Sequence, residues 1–419
     1  MNFLRWALVA WLGALWLAGA ADWAQWGGPS RDGHVPPGVA IPAQLPAEPK
    51  IVWRTHVTEG LASPIVYHGK VFYLDNQQGK ETIHEINAAD AAPLWTAILD
   101  DVPKDSQSPP GPRCTPLADG ERLFAQSSRG ELQCLDVADG KVLWEKNYPR
   151  DFGAVFIGEK GTAAGASRHG YNGQPLIDGD HLIALAGGSP GAGVICLNKT
   201  NGETVWKSQD DPAAYSPPVI AVVAGRRQAL AFTVNGLIGL DPADGKLLWR
   251  VPLKTTYGRH VTTPVTADDM VMVASHEIGL VGVKVTSAAD GLRAEQAWLN
   301  KDAAINFSSP VVVGSYLYGL GPAKNLICVD AHTGKIAWSK DGYFTSAAGK
   351  AHAGMLVMGK NILILTDDGQ LALIAADPAE CREISRLQVC GFNWCNPAYA
   401  DGRLYLRDSR DLICVELLK

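Results

Sequence analysis

Short apolar runs separated by turns fill the chain from residue 50 to its end, and they come in a fixed order. A strand opening on Pro or a small residue is followed by an apolar strand and a third strand. A turn rich in Asp and Gly then leads to a fourth strand built on Trp. The last part is clearest in ELQCLDVADGKVLW (Glu131 to Trp144), GLIGLDPADGKLLW (Gly236 to Trp249) and NLICVDAHTGKIAW (Asn325 to Trp338). The order recurs eight times, with a unit of roughly 40–60 residues. One four-stranded sheet cannot bury both faces, so such units stack around an axis as a β-propeller. The expected fold class is all-β: an eight-bladed β-propeller of four-stranded antiparallel blades over residues 50–419.

The innermost strands are read as SPIVY at Ser63, TPLAD at Thr115, QPLID at Gln174, SPPVIAV at Ser216, TTPVTA at Thr262, SSPVVV at Ser308, AGMLVM at Ala353 and NPAYA at Asn396. Pro is tolerated at a strand's first position, where its missing donor does no harm. Tight turns such as HGK at Gly69 and DGR at Gly402 join these to the second strands, with the residues hairpins demand. The eighth copy stops at LICVELLK without a fourth strand, while KIVWRTHV (Lys50 to Val57) stands at the other end with no copy in front of it. The N-terminal strand is therefore expected to complete the last blade. Closing the ring this way removes exposed sheet edges.

Trp95, Trp144, Trp206, Trp249, Trp298 and Trp338 hold one repeat position. They read as wedges between blades rather than stacking platforms for a ligand. Cys134, Cys196, Cys328 and Cys414 share another position, occupied elsewhere by Gly239, Gly282 and Ala372. That is a small buried packing slot. Cys390 and Cys395 flank GFNW and are a candidate local disulfide, whose formation spacing alone leaves open. No Cys/His spacing resembles a zinc site.

Composition narrows the class. The 419 residues are 47% hydrophobic and 19% charged, with a formal charge of −6. A large core is affordable, and the basic stripe of a nucleic-acid binder is missing. Residues 1–20 read as a signal peptide, with Arg5, the apolar stretch Trp6 to Ala20 and the small-residue site Ala18-Gly19-Ala20. As a helix that stretch reaches roughly 22 Å, short of the ~30 Å hydrocarbon core. No Cys follows the cleavage site. The expectation is an exported protein, periplasmic or secreted, with no lipid anchor and no integral membrane segment after cleavage. Residues 21–49 form an extended lead segment, pinned to the propeller by Trp23 and Trp26, with Arg31 and Asp32 as a candidate ion pair in a turn.

In a propeller, the connections entering the inner strands converge on one mouth of the central channel. Here they carry Arg113; Arg168, His169 and Tyr171 in the longest connection, from about Asn147 to Asn172; Tyr215; Arg259 and His260; Asn306 and Phe307; His352; and Asn393 with Trp394. Arg, His and aromatic side chains in one ring suit an anion, a planar acid or an acidic peptide loop. GGSPGAG (Gly187 to Gly193) is read as a hairpin rather than a phosphate cradle, since no helix follows it. No nucleophile, base and orienting acid assemble from spacing, so no catalytic or metal residue is assigned.

The repeat, as VDAHTGKIAW, LDVADGKVLW, LDPADGKLLW and LNKTNGETVW, resembles that of the quinoprotein-like family of eight-bladed propellers, known as PQQ-binding-like or BamB-like repeat proteins. The lead DWAQWGGPSRDG is similar to the start of exported members. One branch implied by the resemblance is cofactor-free scaffolds of outer-membrane protein assembly. The other is dehydrogenases of alcohols or sugars, which hold pyrroloquinoline quinone and Ca²⁺ with an adjacent Cys-Cys pair and a set of Asp, Glu and Asn. This chain has no adjacent cysteines. The reading is therefore a non-catalytic scaffold that binds an envelope protein or small ligand and needs no cofactor. A quinone- and Ca-dependent dehydrogenase is the alternative, and a carbohydrate-binding module the further one.

Overall fold

A computed structural model describes residues 22–104, 109–158, 162–344 and 351–418; the signal peptide expected over residues 1–20 lies outside them. The strands form eight four-stranded antiparallel sheets. The first blade runs from axis to rim as Ile65–Tyr67, Lys70–Gln77, Lys80–Asn87 and Pro93–Asp101. Each later blade repeats this meander, and every expected inner strand is found, from Leu117–Asp119 in the second blade to Ala398–Ala400 in the eighth. The eighth blade is completed at the rim by Lys50–His56, which pairs antiparallel with Asp411–Glu416 and sets Trp53 opposite Cys414. The two ends of the propeller region are thus held together inside one sheet, with Lys50 and Glu416 as an ion pair.

The recurring small residue and the recurring Trp are cross-strand partners. Cys134 faces Trp144, Cys196 faces Trp206, Gly239 faces Trp249, Gly282 faces Trp298 and Cys328 faces Trp338. A Cβ added to Gly239 or Gly282 would fall 2.4 or 2.1 Å from the facing indole. The ring therefore lies over its partner, and only a small side chain leaves it room. The seventh blade, which has no Trp, pairs Ala372 with Arg386. The first blade departs differently: Glu85 faces Trp95 and ties its carboxylate to Lys70 at 2.6 Å.

From this slot most of the indoles reach into the next blade. Trp95 Nε1 donates to Val137 O, Trp144 to Lys199 O, Trp206 to Pro242 O, Trp298 to Ala331 O, Trp338 to Asp377 O and Trp53 to Ala88 O, at 2.8–3.1 Å. Trp249 instead bonds Gln228 within its own blade at 2.5 Å. Its neighbour has lengthened outer strands, Gly279–Ala288 and Gly291–Asn300, which carry the Asp290-Gly291 turn farther from the Trp. A second set of pins sits at the axis, where the Ser and Thr near the inner-strand Pro residues bond across blades. Asn396 N donates to Ser63 Oγ at 2.9 Å, Ser216 Oγ to Thr262 O at 2.9 Å, Thr263 N to Ser309 Oγ at 3.0 Å and Ala353 N to Ser308 Oγ at 2.8 Å. A buried backbone group needs such a partner, which gives the Ser-Pro pattern its physical reason.

The lead segment does not lie on the outer surface; it threads the axial space. It meets the inner strands or their entries in nearly every blade: Trp23 N with Val66 O, Ala24 O with Ala118 N, Trp26 Nε1 with Thr263 Oγ1, His34 Nε2 with Val312 O, Val35 N with Val357 O, and Ala40 O with the Tyr399 hydroxyl. Asp22 caps the His68 amide and Ile41 touches Gly359, both at turns between first and second strands. The segment thus enters from the face bearing those turns and closes the channel there. It then leaves toward the rim, where Leu45 N bonds Ser385 Oγ at 2.8 Å. The expected Arg31–Asp32 pair is not made. Arg31 is buried at 5% exposure and donates to Gln174 Oε1 and O, Pro175 O and Gln25 Oε1, while Asp32 caps the His34 amide. An inward cation surrounded by four oxygens outcompetes an exposed pair, which contributes little in water.

All eight cysteines are free. Cys390 and Cys395 do not form the candidate bridge; their thiols point to different carbonyls, Gly369 and Gly391 for the first, Leu61 and Ala62 for the second. The GGSPGAG stretch is a hairpin between His181–Gly188 and Ala192–Asn198. Among the described residues, no helix is long and apolar enough to cross a membrane.

Candidate functional site

Because each blade is a meander, the connections into the inner strands share one face with the turns between second and third strands. This face is opposite the one the lead segment closes. The longest connection joins the second blade to the third and folds into two short helices, Tyr148–Phe152 and Ala166–His169. The first is capped by the Asn147 side chain on the Arg150 amide and ends at Gly153, whose φ of 67° needs no Cβ.

The twelve expected residues divide into those at the mouth and those built into its wall. In the wall, Tyr171 packs edge-on against Tyr148 at 5.0 Å and donates its hydroxyl to Ala186 O. His260 is fully buried, stacked on Phe232 at 4.1 Å with Nδ1 on Thr233 O at 2.6 Å. Tyr215 is buried, and its amide donates to His260 O. Asn393 is buried with its Nδ2 on Thr366 O.

At the mouth, Arg113 Nη1 donates to His169 O at 3.0 Å and Arg168 Nε to His169 Nε2 at 3.1 Å. The Arg168 guanidinium lies 4.2 Å from the Tyr257 ring centroid. His169 also sits 6.3 Å from the Tyr215 ring. Across the ring, Arg259 lies 5.8 Å from the Phe307 centroid, Phe307 is 5.2 Å from Trp394, and Trp394 stacks on His352 at 6.4 Å. Asn306 adjoins this second group in sequence and is partly buried. Seven successive connections thus contribute to two aromatic and cationic arcs.

Burial sets the ionisation here. It lowers the His260 and His352 pKa values from 6.5 to about 4, so both imidazoles are neutral at pH 7 and weak as bases. Glu81, on the third strand of the first blade, is fully buried and accepts from the Ser128 amide at 3.1 Å. Burial pushes its carboxyl up to about 7, against the lowering effect of Ser128 and Arg113. Sequence reading missed Glu81, Ser128 and Tyr257. Ser128 lies in a second-to-third-strand turn and Glu81 just after one, on this same face, and that alternation was the available signal.

Among the described residues, no three of His, Cys, Asp or Glu gather closely enough to hold a metal.

Fold and repeat define an eight-bladed propeller of the PQQ-repeat class. A family described as outer membrane protein assembly factor BamB matches residues 46–167 and 111–340, well over half of the chain, and the chain belongs to that family. Among curated proteins it is similar to the outer membrane protein assembly factor BamB of Moranella endobia, 28% identical over 55% of this chain and 58% of the relative. The Yersinia pestis protein of the same name is 23% identical over 62% of this chain and 64% of the relative. Both alignments span less than two thirds of the relative's length. Among solved structures, BamB from Moraxella catarrhalis superposes with a TM-score of 0.57 at 16% identity, covering 89% of this chain and 98% of that one. The C-terminal WD40 domain of Sif2 gives 0.55 at 9% identity, covering 89% and 99%. These likenesses establish the fold.

Proposed function

We propose that the protein is an exported, non-catalytic scaffold in outer-membrane protein assembly that docks an envelope protein at the mouth described above. The observation that carries this reading is the placement of Arg168 and Arg259. Both guanidiniums lie over aromatic rings at the mouth, where a cation stays available to an incoming carboxylate. The partner surface is accordingly acidic. Family membership supports the assembly role. The neutral, weakly basic His260 and His352 support a surface that binds rather than transfers protons.

The mechanism is rigid presentation. Rim wedges, axial pins and the lead segment fix loops from different blades, so docking costs little ordering of the scaffold. The test is capture from an envelope fraction, read by mass spectrometry, with the unaltered protein and the double variant Arg168→Ala/Arg259→Ala. The expected result is a specific partner retained by the first and lost by the second at unchanged melting temperature. Equal capture by both contradicts the reading.

A further inference from the structure

We propose that the sector of the mouth between Arg259 and His352 holds a sugar residue of a glycan. Four polar atoms there meet no hydrogen-bonding partner among the described residues although they are buried: Asn306 Oδ1, His352 Nδ1, Asn393 Oδ1 and Trp394 Nε1. They come from three successive connections, into the sixth, seventh and eighth blades. Ring contacts of Phe307 with Trp394 at 5.2 Å and of Trp394 with His352 at 6.4 Å hold these connections together. A buried polar group without a partner destabilises a protein, and four gathered in one sector call for a reason.

The contrast with the tryptophans of the blade strands is direct. Trp53, Trp95, Trp144, Trp206, Trp249, Trp298 and Trp338 each place the indole N–H on an oxygen. Trp394, which lies outside the repeat position, does not.

The chemistry of the four atoms specifies the occupant. The Asn393 amide is oriented by its Nδ2 bond to Thr366 O, so its Oδ1 requires a donor, as does Asn306 Oδ1. Trp394 Nε1 requires an acceptor. His352, neutral through burial, offers one or the other according to its tautomer. The occupant therefore bears donors and acceptors around its rim and an apolar face to lie on Phe307 and Trp394, both partly exposed. A hydroxylated pyranose ring has both properties. An extended peptide presents its donors and acceptors in rows along its length, which does not match a compact cluster around one stacked column. Seating the ring requires the Phe307 and Trp394 side chains to part.

This inference rests on the mouth being a binding surface but not on any protein partner. The test is isothermal titration calorimetry of the full chain with oligomers of glucose, of N-acetylglucosamine and of galacturonate. Saturable binding of at least one is expected. Trp394→Phe, which keeps a ring but removes the N–H, and Asn306→Ala are each expected to weaken it about fivefold or more without shifting the melting temperature. Absence of binding by all three at about 10 mM, or binding that both variants leave unchanged, overturns the proposal. If no sugar binds, capture of an envelope protein at the mouth by the unaltered protein leaves the scaffold reading standing while the sugar site fails.

Discussion

Trp206 of the third blade and Gly245 of the fourth are fitted to one another. The Trp206 indole donates to Pro242 O at 3.1 Å, and a Cβ on Gly245 would come 2.4 Å from its ring. The same fit joins Trp95 to Gly140, Trp144 to Gly202 and Trp298 to Gly334. The turn Gly and the Trp of the repeat are thus two halves of a fastener between neighbouring blades. Gly225 provides the control, since its φ of 71° matches the 72° of Gly245 while a Cβ there meets nothing within 4 Å. Gly225→Ala measures backbone strain alone, about 1 kcal/mol. Gly245→Ala adds an overpacking cost of about 1–3 kcal/mol. Thermal melting of the two variants is expected to show a clearly larger drop for Gly245→Ala; equal drops would remove the fastener.

Arg31 joins the lead segment to the entry of the third inner strand through three oxygens and bonds Gln25 Oε1 within the segment. Burial lowers its pKa from 12.5 to about 9, which still leaves it charged at pH 7. Arg31→Met keeps the apolar stem but strands those acceptors, at a cost of about 2–4 kcal/mol. Limited proteolysis is expected to cut between residues 22 and 49 in this variant before it cuts any blade. A cleavage pattern matching the unaltered protein would contradict the closed channel.

Stability has opposing pH dependences near the mouth. The buried Glu81 carboxyl is raised from 4.5 to about 7. Its contribution is therefore fully present below pH 4.5 and lost as the pH rises through 7, when a charge must form in the interior. The lowered His260 behaves in reverse: its contribution is present above 6.5 and lost as the pH falls toward 4. Each window corresponds to at most about 3 kcal/mol. Glu81→Gln is expected to melt above the unaltered protein at pH 8 and close to it at pH 5. His260→Asn, which preserves a donor for Thr233 O, is expected to flatten the acid limb between pH 6.5 and 4. Melting profiles against pH check both signs.

The blades were legible because their signals are local and repeated. The Trp, the small residue and the Asp-Gly turn each recur at fixed offsets, and the unpaired strand around Trp53 had one vacancy to fill. The path of the lead segment was not legible. Its partners, such as Gln174 for Arg31, lie 143 residues away, and no periodicity announces them. The same holds at the mouth. Arg259 and His260 are neighbours in sequence, yet one reaches over Phe307 and the other is sealed against Phe232. Irregular loops have no alternation rule to tell such neighbours apart. Glu81 escaped notice because nothing in its strand distinguishes a buried carboxylate from an exposed one until Ser128 arrives from the second blade.

The account stands or falls on the mouth being the face that engages a partner. Replacing Phe307, at the mouth, and separately Val205, exposed on the rim strand of the third blade, with a photo-crosslinking benzoylphenylalanine compares the two surfaces in an envelope fraction. The account predicts a discrete protein adduct from position 307 and none from position 205. Adducts from 205 with none from 307 would place docking on the rim and contradict it.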